Sequence, residues 1–329
     1  MNVLILGGTV FLGRTIAEAA RTAGHTVTLF NRGKSNPAAF SDIETIIGDR
    51  DTDLDKLAGR TWDAVIDPSG YIPRHVTAAG QALKDSTEHY TFISSISAYK
   101  SYSQPNMDES GEVGTIDDPT LETVTGESYG PLKALCEQAA EAAMPGRVLN
   151  VRAGLIVGKY DPTDRFTYWP WKVQQGADFV APESPAYPMQ IIDARDIADW
   201  VLKMAAARKG GVYNTTGTPT NLGEIISTAQ TQVGGGGSPV YMDAEFLAAQ
   251  EVQSWAEMPL WISATDAGFE YMHAVSVQKA VRDGLTFRPL ADSIAAALTW
   301  ANSRPSDYEF RAGLSAEKEQ AVLAAWEKR

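Results

Sequence analysis

Tyr129 and Lys133 stand four residues apart in "SYGPLK", a spacing that puts a phenol and an ammonium on one face of a helix. Such a pair can move a proton at a hydroxyl or carbonyl oxygen. A free phenol has a pKa of about 10, and a fall of roughly three units, about 4 kcal/mol, makes it useful near neutrality. A neighbouring ammonium supplies charge of the right sign, as would a cationic cofactor, which Lys133 would also help to hold. A second pair with this spacing, Tyr168 and Lys172, encloses Pro170, which is expected to interrupt a helix there, whereas Pro131 of the first pair lies near a helix start. Upstream, the apolar run in "FISSISAY" ends on hydroxyls, and Ser95 is placed to hydrogen-bond the reacting oxygen.

Hydride chemistry requires a nucleotide seat, and the first twenty residues offer one. "NVLIL" reads as a strand and "RTIAEAARTAG" as a helix, with glycines between them. Gly7 permits a tight turn, Gly13 permits close packing of helix on strand, and "GTVF" presents backbone amides where the helix points its positive end. Val10 between the two glycines departs from the usual Gly-x-Gly-x-x-Gly spacing. At the end of the second strand, where a carboxylate would receive the ribose hydroxyls of NAD, the chain has Asn31 and Arg32. Asn31 can still bond a hydroxyl and Arg32 suits a 2'-phosphate, so the choice within NAD(P) tilts toward NADP. Asp49, closing "IIGD", is placed to accept from the adenine amino group.

The elements that must position these groups alternate between strand and helix. "HTVTLF", "IETIIGD", "DAVIDPSG", "HYTFISSIS" and "RVLNVRAGLIVG" read as further strands, and "ESYGPLKALCEQAAEAA" as a long helix. Six strands before residue 160 predict an α/β fold, a Rossmann-type doubly wound parallel sheet with a smaller, mostly C-terminal α/β substrate lobe. The expected division is a cofactor domain over 1–158, rejoined by 186–207, and a discontinuous lobe over 159–329. "GGGGSP" reads as a flexible surface loop within that lobe.

Composition narrows the partners. The 329 residues carry a formal net charge of -13 with no Lys/Arg run, which disfavours nucleic acid and anionic membranes. Cys136 is the single cysteine, so neither an intrachain disulfide nor a cysteine-based metal cluster is expected, and no metal site is assigned. The first apolar run is too short for a signal peptide or a membrane span, and a cytoplasmic location is the expectation.

"GGTVFLG", "IIGD", "FISSISAY", "YGPLK" and "VRAGLIVG", in this order, resemble the extended short-chain dehydrogenase/reductase superfamily, in particular its NAD-dependent epimerase/dehydratase group. "GGTVFLGR" and "TGESYGPLKALCE" further resemble an atypical, isoflavone-reductase-like bacterial branch, and "QIIDARDIADW" and "GVYNTTG" extend the likeness to about residue 217. The resemblance implies Ser95, Tyr129 and Lys133 as the catalytic three. It implies Gly7, Thr9, Phe11, Leu12 and Gly13 as the phosphate loop, Asn31 and Arg32 at the ribose, Asp49 at the adenine, and Pro68, Ser69 and Gly70 beside the cofactor. It also implies a homodimer formed through the Tyr/Lys helix and its neighbour. The group's dehydratases carry acidic residues just after the strand-five hydroxyl, where this chain has Ile96 and Ser97, so dehydration is disfavoured.

A small-molecule substrate is expected between the sheet edge and the lobe. Arg165 offers a charge for an anionic or polar group, and Tyr168, Trp169 and Trp171 offer stacking faces; Tyr71 and His75 follow the fourth strand. The expected activity is an NAD(P)-dependent epimerase or reductase working on a hydroxyl/carbonyl pair of a sugar-like molecule. The alternative is a non-catalytic cofactor-sensing or RNA-associated protein on the same fold.

Overall fold

The computed structural model describes residues 1–263 and 267–329, and its described residues form two compact units. The first comprises Met1–Ile156, Ala194–Gly217 and Val275–Thr286. It opens with β1 (Asn2–Leu6), α1 (Phe11–Thr22), β2 (Thr26–Asn31), β3 (Glu44–Ile47), β4 (Ala64–Asp67), α2 (Pro73–Leu83), β5 (Tyr90–Ser95), α3 (Gly126–Ala143) and β6 (Val148–Ala153). The chain then runs through β7 (Leu155–Val157), α4 (Tyr168–Gln175), β8 (Phe179–Pro182) and β9 (Pro188–Asp193) before α5 (Ala194–Ala206) and β10 (Gly211–Thr215).

Seven of the described strands form a parallel sheet in the order β10-β6-β5-β4-β1-β2-β3. Val3 to Leu6 are each at most 1% exposed, the continuous apolar run expected of a strand covered on both faces. Helices supply that cover: α1 packs on α5, and α2 on α3. Strand order reverses between β1 and β4, which opens a crevice beyond their carboxyl ends. Below it lies a core of Leu4, Phe30, Val65, Tyr90, Phe92 and Cys136, so the lone thiol is a core side chain.

Three expectations need correction. "RVLNVRAGLIVG" is two strands, because Thr216 presses on Gly154 and leaves no room for a Cβ at the bend between β6 and β7. A seventh strand, β10, joins the sheet beside β6. The return to the first unit starts at Ala194, later than residue 186, because β9 pairs antiparallel with β11 (Pro219–Asn221) in the second unit.

The second unit also holds α6 (Leu222–Val233), β12 (Pro239–Met242) paired with β8, α7 (Ala244–Ala249), α9 (Leu290–Asn302) and α10 (Ala316–Trp326); the short α8 (Gln278–Arg282) belongs to the first. Its core gathers Phe166, Trp169, Phe179 and Trp261. The "GGGGSP" segment is a packed turn, since a side chain at Gly236 or Gly237 would collide with the carbonyls of Val173 or Ala177.

Gly80 is where α2 meets α3, with a Cβ there falling 2.5 Å from that of Ala143. Gly80→Leu is expected to lower stability by roughly 1–3 kcal/mol through overpacking. Urea denaturation checks this, and an unchanged midpoint would contradict the packing.

Candidate functional site

The glycine loop begins with two backbone conformations that disfavour side chains: Gly7 has φ 120° and Gly8 φ 88°. Gly7 N–H donates to the Phe30 carbonyl at 2.8 Å, which ties the exit of β1 to β2. A Cβ on Gly13 would lie 3.1 Å from both the Gly8 nitrogen and Pro68 Cγ, so the helix sits against the loop only because Gly13 has none. Val10 is extended (φ -130°, ψ 137°), a conformation any residue adopts, which explains why glycine is dispensable there. No side chain caps α1 and no acid stands in its first turn, leaving its N-terminal amides and dipole to meet an anion.

The other expected cofactor residues differ in what they offer. Leu12 and Thr9 are buried, and the Thr9 carbonyl accepts from Asn36 at 2.9 Å. Phe11 starts α1 with φ 37°. Asn31 braces the loop: its amide nitrogen donates to the Gly7 carbonyl at 3.1 Å and its oxygen accepts from Gly33 N–H at 2.8 Å. Arg32 is exposed at the end of β2. Asp49 is half-buried and accepts from the Asp51 N–H at 3.1 Å. Pro68, Ser69 and Gly70 form the exit of β4, where the Ser69 hydroxyl donates to the Leu6 carbonyl at 2.5 Å.

Tyr129 and Lys133 lie on α3, whose start is fixed by a capping box. Ser128 N–H donates to the Thr125 hydroxyl at 3.2 Å, and Thr125 N–H donates to the Ser128 hydroxyl at 2.8 Å. Lys133 reaches inward and is 3% exposed. Its ammonium donates to the Gly70 carbonyl at 2.8 Å and the Ile93 carbonyl at 2.7 Å, bridging the exits of β4 and β5. It lies 5.0 Å from the Tyr71 ring centre, and that ring is 6.4 Å from the ring of Tyr129. Burial pushes the Lys133 pKa down to about 8.

Ser95 ends β5 and is 9% exposed. Its hydroxyl accepts from Ser97 N–H at 3.1 Å and donates to the Ser97 hydroxyl at 3.1 Å, capping a single 3-10 turn, Ile96–Ala98. That turn presses on α3 beside Tyr129: a Cβ on Gly130 would collide with the Ser97 carbonyl. The first unit therefore gathers Tyr71, Tyr129, Lys133 and the Ser95 turn at the ends of β4 and β5.

The second unit corrects part of the substrate expectation. Tyr168 and Trp169 are 1% and 0% exposed, and the Trp169 indole donates to the Pro259 carbonyl at 3.0 Å, so both are core residues with no face for a ligand. Pro170 does not break the helix there, because it occupies the first turn of α4, where a missing N–H is harmless. Burial distinguishes the two Tyr/Lys pairs, and Lys172 is paired with Glu319. Arg165 is half-buried, with its guanidinium 4.8 Å from the ring centre of Trp255. In the first unit, His75 lies 2.9 Å from Asp51.

Two buried charge clusters have no signature in residue spacing. Asp67 ends β4 at 0% exposure, paired with Arg50 at 2.9 Å and accepting from the Tyr90 hydroxyl at 2.9 Å. Although burial acts in the opposite direction, Arg50 holds the Asp67 carboxyl below its ordinary pKa. Glu137, one turn beyond Lys133, pairs with Arg152 at 2.8 Å and accepts from Ser94 at 2.5 Å. The available signal was a charged residue inside an otherwise apolar strand, as in "AVID" and "VLNVRA". Among the described residues, no group of His, Cys, Asp or Glu is arranged to hold a metal, and no helix is long and apolar enough to cross a membrane.

The Lys133 shift has a measurable sign. An unfolded lysine titrates near 10.4, so between about pH 8 and 10 the unfolded chain holds more protons at this position and the native contribution grows with pH. The stability difference between the native chain and Lys133→Met should therefore move in favour of the native chain from pH 7 to 9.5 in urea titrations. A difference that does not vary with pH would contradict the shift.

A family model described as "NAD dependent epimerase/dehydratase family" matches residues 3–215. A curated relative, "Chloroplast stem-loop binding protein of 41 kDa b, chloroplastic" of Arabidopsis thaliana, is 26% identical over 258 residues, 71% of this chain and 63% of the relative; the match thus spans less than two thirds of that protein. Among solved structures, MoeE5 in complex with UDP-glucose and NAD is similar with a TM-score of 0.66 at 18% identity, covering 92% of this chain and 99% of that one. The Bordetella bronchiseptica enzyme WbmH in complex with NAD+ is similar with a TM-score of 0.67 at 14% identity, covering 92% and 98%. At these identities the structural likeness concerns the fold.

Proposed function

The chain belongs to the NAD dependent epimerase/dehydratase family, NAD-dependent enzymes of short-chain dehydrogenase/reductase type, and from that membership and the geometry of the crevice we propose an NAD(P)-dependent epimerase or reductase acting on a hydroxyl/carbonyl pair of a sugar-like molecule. The observation that carries this reading is the buried Lys133 ammonium, held at the ends of β4 and β5 one helical turn from Tyr129. The residues present fit a dinucleotide: Gly13 lets α1 close on the glycine loop, and the uncapped start of α1 suits a pyrophosphate. A bound nicotinamide supplies the hydride acceptor and donor.

The chain's own residues do the rest. Gly7 and Gly13 would admit the phosphates to the backbone amides of Thr9, Phe11 and Leu12. Lys133, one helical turn from Tyr129, would hold the nicotinamide ribose. Tyr129 takes the proton from the substrate hydroxyl in oxidation and returns it in reduction, while Ser95 turns its hydroxyl hydrogen from Ser97 to the same oxygen. Tyr71, 48% exposed, offers a face to the substrate. Arg32, exposed after Asn31, favours a 2'-phosphate, and hence NADP, because the residues closing β2 carry no carboxylate. MoeE5 binds UDP-glucose, which supports sugar nucleotides as the first class to try. The assembly proposed is a homodimer through α2 and α3, in the cytoplasm.

A second reading, RNA association, is favoured by the name of the Arabidopsis relative and opposed by the net charge of -13. Tight binding of a stem-loop at physiological salt would favour it over catalysis.

Cofactor that co-purifies with the protein points to an epimerase, which regenerates it in each cycle; cofactor that exchanges points to a reductase. With a panel of UDP-hexoses as probes, Tyr129→Phe should lower turnover by about 10²- to 10⁴-fold and leave NAD(P) affinity within about threefold. Retained turnover in that variant removes the phenol from the mechanism.

A further inference from the structure

The Arg50 side chain is 12% exposed and makes three bonds at the exit of β4. Its Nη1 donates to Asp67 Oδ2 at 3.2 Å; its Nη2 donates to Asp67 Oδ1 and to the Ser69 hydroxyl, each at 2.9 Å. Asp67 in turn accepts from Ser69 N–H at 3.0 Å, and the Ser69 hydroxyl donates to the Leu6 carbonyl at the end of β1. One guanidinium thus joins the segment after β3 to the exits of β4 and β1, the two strands that flank the crevice.

We infer that Arg50 is a positioning residue for the cofactor seat: by gripping Asp67 and Ser69 together it sets the Pro68–Gly70 loop against the glycine loop and aims the Gly70 carbonyl at Lys133. The inference rests on the reading of the crevice as a nicotinamide dinucleotide site. Spacing in the loop is tight on both sides. A Cβ at Gly7 would lie 3.4 Å from the Ser69 hydroxyl, one at Gly13 3.1 Å from Pro68, and one at Gly70 3.1 Å from Asp67. A displacement of the loop by a few tenths of an ångström therefore disturbs its packing on the glycine loop or withdraws the carbonyl that receives Lys133.

A forked donor is needed because three acceptor sites are served from one direction, which a lysine ammonium on a flexible stem does not reproduce. A buried ion pair adds little net stability over a well-packed apolar pair, so its effect is to be sought in the geometry it fixes. That separation makes the proposal testable, because stability and affinity should respond differently.

Arg50→Lys keeps a positive charge opposite Asp67 but loses the fork; the double variant R50M/D67N removes both charges and keeps the volume. Each is titrated calorimetrically with NAD+ and NADP+ and melted without cofactor, beside the native chain. Arg50→Lys should melt within a few degrees of the native chain yet bind at least tenfold more weakly, about 1.4 kcal/mol. R50M/D67N should behave alike and decides the matter if the lysine variant does not fold. A folded variant binding within threefold of the native chain overturns the role of Arg50 while leaving the crevice reading intact. A native chain that binds neither nucleotide overturns both.

Discussion

The Lys133 ammonium lies between the carbonyls of Gly70 and Ile93, 2.8 and 2.7 Å away, at 3% exposure, and the exits of β4 and β5 and the register of α3 must all satisfy it. A buried cation without such acceptors would be costly enough to lose its proton or expel the side chain. Burial still draws its pKa down to about 8, so the group sits close to the boundary between charged and neutral. Fixing Lys133 fixes the helical turn before it, and the capping box at Thr125 and Ser128 fixes the same helix from its start. Tyr129 is thereby held between two constraints.

The opposite side of the crevice is held by absence of side chains. Gly13 lets α1 rest on the Gly8 backbone and Pro68, so the glycine loop and the β4 exit are packed against each other. Arg50 and Asp67 brace that exit from beneath, and Tyr90 adds a hydroxyl from β5. Gly130 does for the β5 exit what Gly13 does for β4, because the Ser97 carbonyl occupies the space its Cβ would need. The groups that could act chemically are thus set by close packing of the loops and by buried side chains such as Arg50 and Asp67.

Much of this was legible in the sequence where a local rule was sufficient. Continuous apolar runs gave the buried parallel strands, and the four-residue spacing placed Tyr129 and Lys133 on one helix face. The seventh strand, "GVYNT", was missed because only its pairing with β6 distinguishes it from a loop. Tyr168 and Trp169 were offered to the substrate because their types suit stacking, yet burial depends on tertiary packing that spacing does not encode. Asn31, expected at the ribose, has a further structural duty that the sequence does not show, since its amide also bonds Gly7 and Gly33. The Arg50–Asp67 pair was invisible as a pair because its members lie 17 positions apart on different elements.

A crystal structure of the chain with NAD+ tests the central claim most directly. The account predicts density for the pyrophosphate over Gly7–Gly13 and a nicotinamide ribose within hydrogen-bond reach of the Lys133 ammonium, with the ring facing Tyr129. Nucleotide density elsewhere, or a ribose that Lys133 does not contact, would contradict it.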